Sequence, residues 1–308
     1  MKYIFGPVPS RRLGLSLGID IIPTKTCTLS CIYCQIGKTP HTTLSRREYV
    51  PAAEIISELE NILKSGIRAD WMTFSGSGEP TLNSSIGDMI RSVKALTDIP
   101  VCVITNGTLL WDSEVRRDIR KADAVMPSLD SAIEHTFQTL CHPHPDLHVD
   151  RIIDGLVQFR KEYEGKIWLE IMLVEGINDS PRELTALHEA VTRIEPDAIH
   201  LNTVVRPPAY VSARPLSRER LGQICELFGD KAEIIASFKS DTKKSSHAGM
   251  EDVREYLKRR PATLEDISSS LGIESHEAET ILQQLTESGD ALLREHFGKR
   301  FWEYIGIS

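Results

Sequence analysis

Three cysteines fall within eight residues in the run Cys27-Thr-Leu-Ser-Cys31-Ile-Tyr33-Cys34. Closely spaced thiolates hold iron–sulfur clusters, and a [4Fe–4S] cluster that only carries electrons takes four of them. Because this run supplies three, one iron is expected to stay open to a small molecule. The sequence therefore predicts a cluster whose open iron is a reaction site.

A zinc site is the main alternative for these residues, since the spacing also suits zinc and His41 lies near enough to complete four ligands. Zinc sites usually combine two separated ligand pairs, whereas no second pair follows here. The remaining cysteines are scattered, which argues against a second cluster and against a disulfide framework; they are Cys102, Cys141 and Cys225.

The C-x3-C-x2-C spacing, with an aromatic residue before the last cysteine, resembles the hallmark of the radical S-adenosylmethionine (SAM) superfamily. The flanking stretches Phe5–Arg12, Gly18–Asp20 and Cys34–Gly37 resemble a subgroup related to wyosine-type tRNA-modifying and molybdenum-cofactor enzymes. The resemblance implies a [4Fe–4S] cluster and SAM as cofactors. The cluster ligands that it implies are Cys27, Cys31 and Cys34.

Length and composition indicate a soluble chain of two domains, because 308 residues exceed one ordinary core and the hydrophobic content of 41% supports a packed interior. The N-terminus lacks the long apolar stretch of a signal peptide, and no apolar run reaches the length that spans a bilayer. Cysteine usage fits a reducing compartment, so we expect a cytoplasmic location and no membrane partner.

Short β-branched runs alternate with amphipathic stretches along the first 236 residues, which predicts βα units in series and a parallel sheet. The predicted strands are Leu15–Ile22, Trp71–Ser75, Val101–Thr105, Ala124–Leu129, Ile167–Val174 and Ile199–Val205. Helices are expected from Pro51 to Gly66 and after Ser85, Asp112, Asp150, Ser180 and Ser217. This α/β pattern matches the partial (β/α)6 barrel of the superfamily, whose reactive groups gather at the strand C-terminal ends.

A glycine-rich turn, Ser75–Pro80, follows the second predicted strand. Its glycines allow the backbone to approach a ligand closely, although an ordinary turn explains them equally well. The turn resembles the family motif that hydrogen-bonds the methionine amino group of SAM, which implies SAM contacts for Gly76, Gly78 and Glu79.

Short polar side chains follow the third and fourth strands, where they suit either ribose hydroxyls or ordinary helix caps. The resemblance favours ribose or carboxylate contacts for this set, which comprises Thr105, Asn106, Ser128 and Asp130. It also implies that Asn202 and Val204 flank the adenine and that the Tyr33 backbone meets its amine.

By this resemblance, one electron cleaves SAM at the open iron, and the resulting 5′-deoxyadenosyl radical removes hydrogen from an unidentified substrate. No side-chain acid or base is obligatory, because the cofactors carry this chemistry. The expected partners are an electron donor such as flavodoxin or ferredoxin and a substrate that is a tRNA or a small metabolite. A peptide or protein substrate is the alternative.

Several cations suit a phosphate or carboxylate of the substrate, or alternatively a structural ion pair. They are Arg11, Arg12, Lys25, Lys38 and, as the preferred candidate, Arg206. The stretch Cys141–His148 contains three histidines and one thiol, which suggests a metal site, but its resemblance to the subgroup favours a loop that faces the substrate.

Residues 237–249 are polar and rich in lysine and serine, which predicts a linker. Residues 250–308 then follow the outline of a winged helix, with helices at Met250–Arg259, Thr263–Leu271 and Ser275–Ser288 and a hairpin at Ala291–Tyr304. The third helix has no Lys or Arg, and this segment holds 7 basic against 12 acidic residues. DNA is therefore not the expected partner, and a protein contact or a substrate lid fits better.

Two classes of function follow from these observations. One is a radical SAM enzyme, and the other is a regulator that senses redox state through its cluster and reads DNA. A regulator would need a basic recognition helix and no cofactor pocket at the strand ends, so the sequence favours the enzyme.

Overall fold

One sheet of eight strands dominates the structure, a computed structural model that describes residues 2–10, 12–235 and 249–306. The strands follow one another across the sheet in chain order; only the first pair is antiparallel, and each later strand runs parallel to its predecessor. They are β1 (Ile4–Ser10), β2 (Gly14–Ile19), β3 (Trp71–Phe74), β4 (Val101–Thr105), β5 (Ala124–Pro127), β6 (Lys166–Leu173), β7 (Ala198–Thr203) and β8 (Ala232–Ile234).

Helices connect the parallel strands, as parallel pairing requires. They are α1 (Ala52–Lys64), α2 (Ile86–Leu96), α3 (Ser113–Ile119), α4 (Glu134–Cys141), α5 (Val149–Glu162), α6 (Pro181–Ile194) and α7 (Arg218–Phe228). Each long helix buries one apolar stripe against the sheet; in α1 the fully buried side chains are Ile55 and Leu59. Strand β5 is buried along its whole length, as expected for a parallel strand covered on both faces.

The predicted α/β architecture is confirmed, because strands β2–β7 are the six strands that the sequence pattern predicts. The pattern missed β1, β8 and α4. Strand β1 contains Gly6, Pro7 and Pro9, which lower strand propensity but are tolerated at a sheet edge, and β8 has only three residues. Helix α4 is short and ends at Cys141, so this residue, which the pattern placed in a loop, is helical.

Three helices and a hairpin form the C-terminal segment. They are α8 (Met250–Arg259), α9 (Leu264–Leu271), α10 (Ser275–Glu287), β9 (Ala291–His296) and β10 (Lys299–Tyr304). These elements bury a separate apolar core, against which Val8 of β1 also packs. The element order is the one that the sequence predicts, whereas the winged-helix assignment and the domain boundaries stay predictions. The predicted linker lies outside the described residues up to position 248.

The turn between β1 and β2 closes one end of the sheet's interior. Leu13, from this turn, is buried in a small apolar cluster with Cys102, Ala124 and Met126 of the neighbouring strands. Within the described part of the chain, no helix is long and apolar enough to cross a bilayer.

Two glycines in helices differ in how closely other atoms approach them. A Cβ at Gly155 in α5 would lie 2.4 Å from the Trp111 backbone nitrogen, whereas no described atom lies within 4 Å of a Cβ at Gly222 in α7. We expect Gly155→Ala to lower the free energy of unfolding by about 1–3 kcal/mol through overpacking. The matched change Gly222→Ala should raise it by up to about 1 kcal/mol, because alanine is the better helix former.

Urea denaturation of both variants measures these two shifts. If Gly155→Ala were as stable as Gly222→Ala, α5 would not lie against the Trp111 backbone.

Candidate functional site

The three cysteines of the predicted cluster site lie in the loop that follows β2, at the carboxyl end of the sheet. All three are free and partly buried, and all three line one cavity of about 540 Å³. Helix α4 holds this cysteine loop in place: the Ser30 backbone N–H donates to the Cys141 carbonyl at 3.0 Å, and the Ile32 N–H donates to the Leu140 carbonyl at 3.0 Å.

The cysteine loop lies directly on the glycine-rich turn. The Lys25 N–H donates to the Ser77 carbonyl at 2.8 Å, and the Glu79 N–H donates to the Thr26 carbonyl at 3.0 Å. A Cβ at Gly78 would lie 2.0 Å from the Thr26 oxygen, so only glycine allows this approach. The two loops therefore form one unit.

Asp20, the first residue after β2, braces the same turn. Its carboxylate accepts hydrogen bonds from the Ser77 hydroxyl at 2.7 Å and from the Ser77 N–H. Gly76 packs against this carboxylate with a φ of 154°, where an added Cβ would lie 2.3 Å away. Burial raises the pKa of Asp20, and the hydrogen bonds from Ser77 oppose that shift.

Glu79 joins the glycine-rich turn to the end of β4. Its buried carboxylate accepts hydrogen bonds from the Thr105 hydroxyl at 2.6 Å, the Asn106 N–H at 2.7 Å and the Thr81 hydroxyl at 2.5 Å. Burial raises the pKa of Glu79, whereas these donors lower it. A carboxylate with this many donors is a positioning group for two loops.

Asn106 reaches the cluster site itself. Its side-chain amide donates to the Thr28 hydroxyl at 2.8 Å and lies 3.6 Å from the Cys27 sulfur. The resemblance implies a ribose or carboxylate contact for Asn106. The structure places this amide beside a predicted cluster ligand.

The other predicted SAM contacts divide into two groups. Ser128, Asn202 and Val204 line the cavity with Tyr33, Gly76, Gly78, Glu79, Thr105 and Asn106. Asp130 is not among the residues that line it: its carboxylate accepts from the Tyr33 hydroxyl and, at 2.8 Å, from the Met172 N–H. Burial raises the pKa of Asp130 to about 6.

A buried ion pair contacts Asn202, one of the two residues that are predicted to flank the adenine. The Arg12 guanidinium contacts the Glu170 carboxylate, which also accepts from the Asn202 amide at 3.2 Å. Burial alone would raise the pKa of Glu170, but Arg12 and this amide outweigh burial, so the pKa is lowered. Asn202 is thus oriented by a charged pair.

The thiols and their surroundings fit an iron–sulfur cluster. Burial raises the pKa of the Cys27 thiol, with the Glu79 carboxylate adding to the shift, so metal binding must displace protons. The buried Lys25 ammonium has no hydrogen-bond partner among the described residues, and it lies near the Cys27 and Cys34 sulfurs. A cation there suits iron-bound thiolates.

Zinc is the alternative that the sequence leaves for these cysteines. Across the described ranges, no three His, Cys, Asp or Glu side chains are arranged to hold one metal ion. In a cluster each thiolate binds a different iron, so such convergence is not required. The same finding covers the residues after Cys141, for which the sequence suggested a metal; there His142 packs edge-on against Tyr210 at 5.4 Å.

The predicted anion-binding cations are spread around the cavity. Arg12, Lys25 and Arg206 line it, and Arg206 contacts Asp266 of α9 at 3.7 Å. Lys38 instead lies over the Tyr210 ring at 4.2 Å, and Arg11 is outside the described residues.

Sequence reasoning missed two contributors to this site. Asp20 could have been found, because it directly follows a strand at the edge where the motifs converge. The residues of α8 could not, since about 220 residues separate them from the cysteines and no local spacing links the two.

Comparison with known proteins agrees with the fold. The family model described as "Radical SAM superfamily" matches residues 21–187. A UPF0026 protein of Methanocaldococcus jannaschii is 32% identical over 98% of this chain and 96% of its own length. The structure "TYW1 with a lysine-pyruvate adduct bound" superimposes with a TM-score of 0.55 at 16% identity, over 73% of this chain and 75% of that one.

A longer relative is named GTPase Obg of Brachyspira hyodysenteriae. It is 39% identical over 94% of this chain, which spans only 43% of that protein. The likeness therefore concerns the shared part and not the activity in the longer protein's name. The family model covers more than half of the chain and includes all three cysteines. The chain therefore belongs to the radical SAM superfamily, and it is an enzyme that binds a [4Fe–4S] cluster and S-adenosylmethionine.

Proposed function

We propose that this enzyme cleaves SAM reductively and removes a hydrogen atom from a substrate held in the same cavity. The observation that carries the proposal is the convergence of the three cysteines, the glycine-rich turn and the end of β4 on one cavity. When bound, the cluster and SAM supply a 5′-deoxyadenosyl radical. The substrate is a small metabolite or a tRNA, with a peptide as the alternative.

Cys27, Cys31 and Cys34 hold the cluster in this proposal. Residues 76–78 line the cavity, and by the resemblance they contact the methionine end of SAM. Glu79 keeps that turn in register with Thr105 and Asn106 through its hydrogen bonds.

Ser128, Asn202 and Val204 then face the nucleoside end of SAM, as the resemblance implies. Asp130 does not line the cavity. It orients the Tyr33 ring by accepting a hydrogen bond from the Tyr33 hydroxyl.

Replacement of a cluster ligand gives the first test. Protein reconstituted anaerobically with iron and sulfide should hold about four irons per chain and, once reduced, form 5′-deoxyadenosine from SAM. Cys31→Ala should abolish that product. Cys225→Ala should retain it, because Cys225 lies on α7, and its thiol contacts the Ala232 carbonyl at 3.3 Å.

Chromatographic detection of 5′-deoxyadenosine measures both variants. Full iron loading of the wild type with no product would contradict SAM cleavage and favour the regulator hypothesis. Parallel incubations with bulk tRNA, peptides and metabolite extracts then separate the candidate substrates by the product that carries the modification.

The second test concerns Glu79. In Glu79→Gln an amide N–H₂ replaces one acceptor oxygen, so either the Thr105 hydroxyl or the Asn106 N–H loses its partner, at a cost of about 1–3 kcal/mol. We expect the dissociation constant for SAM to rise about tenfold, because the turn and β4 lose their register. Glu189→Gln, at an exposed position of α6, is the matched control.

Equilibrium binding of SAM to the reconstituted proteins is the measurement. Equal affinity in Glu79→Gln and Glu189→Gln would contradict the positioning role of Glu79.

A further inference from the structure

Helix α8 forms part of the wall of the cavity that holds the cysteines. Arg260, directly after the helix, also lines this cavity, and α8 itself contributes Glu251, Asp252, Glu255, Tyr256 and Arg259. Their spacing repeats every three to four residues, so they occupy one face of the helix. Val253 and Leu257 point the other way, into the apolar core of the C-terminal segment. The polar face of α8 is thus turned toward a shared cavity.

The acidic half of that face already has partners. Glu251 contacts Arg254, Asp252 accepts from the Gly249 N–H at 2.9 Å, and Glu255 accepts from Lys258 at 2.6 Å. These groups cap and stabilise the helix. They are not groups that await a ligand.

The basic side chains of this face are Arg259 and Arg260. Arg259 stacks on the Phe5 ring at 4.8 Å and donates to the Glu255 carbonyl at 2.8 Å, but its buried Nε has no hydrogen-bond partner among the described residues. Arg260 contacts the hydroxyl of Tyr256. A guanidinium carries five N–H donors, so both side chains keep donors for another acceptor.

These two arginines belong to the side of the cavity that holds SAM. Phe5 fills the space above Gly18, where a Cβ would lie 2.0 Å from the ring, and Arg259 covers the other face of that ring. Burial lowers the pKa of Arg259, and that shift is opposed by Asp20, which braces the glycine-rich turn, and by Glu255, whose carboxylate lies 3.6 Å from the guanidinium. The guanidinium is therefore held beside the proposed SAM site.

We propose that Arg259 and Arg260 bind an oxyanion of the substrate, a phosphate or a carboxylate, and that this substrate is a small metabolite enclosed between the sheet and α8. The proposal rests on the proposed function and deepens it. Arginine pairs suit such anions, because the planar fork matches two oxygens at once. The cavity volume of about 540 Å³ lies in the range of small-molecule sites, which favours a small partner.

The experiment measures anion binding directly. Reconstituted full-length protein with saturating SAM is titrated by calorimetry with inorganic phosphate in one arm and succinate in the other. We expect Arg259→Gln and Arg260→Gln each to weaken binding of the preferred anion about tenfold or more. Lys299→Gln, which removes a positive charge from an exposed side chain of β10 that does not line the cavity, should bind within about twofold of wild type.

Folding and specificity are controlled separately. Arg259→Lys keeps the charge but loses the fork, so it should fall between the wild type and Arg259→Gln. Thermal unfolding shows whether each variant is folded, and Arg260→Gln tests the proposal even if Arg259→Gln unfolds. The arm that shows the arginine-dependent affinity tells whether the oxyanion is a phosphate or a carboxylate.

Three results would overturn the proposal: no binding of either anion by the wild type, equal weakening in Lys299→Gln, or displacement of the anion by bulk tRNA with the same arginine dependence. The last result would make the ligand a nucleic acid. Formation of 5′-deoxyadenosine is assayed on the same samples. Its absence together with arginine-dependent anion binding would contradict the proposed function and leave the anion site intact.

Discussion

The contact between the cysteine loop and the glycine-rich turn is the constraint on which the site depends. Two backbone hydrogen bonds join them, and Gly78 allows the approach because any side chain there would collide with the Thr26 carbonyl. This contact fixes a loop after β2 against a loop after β3. The three thiols consequently hold a fixed position over the sheet although they lie in no regular element.

Buried charged side chains then fix the positions of the other strand ends relative to this contact. Glu79 links β3 to β4, and Arg12 and Glu170 link the β1–β2 turn to β6, with Asn202 of β7 attached. Each carboxylate is costly to bury, and each has enough donors or a cation to offset that cost. The cost of such a network is offset by its function where several loops must be held at fixed positions relative to one another, as in a site built from six strand ends.

The features that depend on local sequence patterns could be predicted from the sequence. The six parallel strands and most helices follow from periodicity, and the spacing of Cys27, Cys31 and Cys34 pointed to the cluster before any geometry was known. Strand β1 was missed because its prolines and glycine lower strand propensity, and it is stabilised by pairing with β2 and by packing of Val8 against the C-terminal segment. Asp130 was placed on the cavity rim from its position after β5, but a side chain's direction depends on partners such as Tyr33, which are distant in sequence.

The net charge of the C-terminal segment is another case in which the sequence does not show which groups face one another. Its acidic excess argues against a polyanion on the outer surface, where long-range repulsion acts. Inside a cavity the balance is local: the acids of α8 are engaged by Arg254, Lys258 and the helix cap, so the field near Arg259 is set by the few groups that face it. A segment can therefore be acidic as a whole and still present cations to a ligand. The placement of α8 makes that distinction, because one face of the helix lines the same cavity as the cysteines.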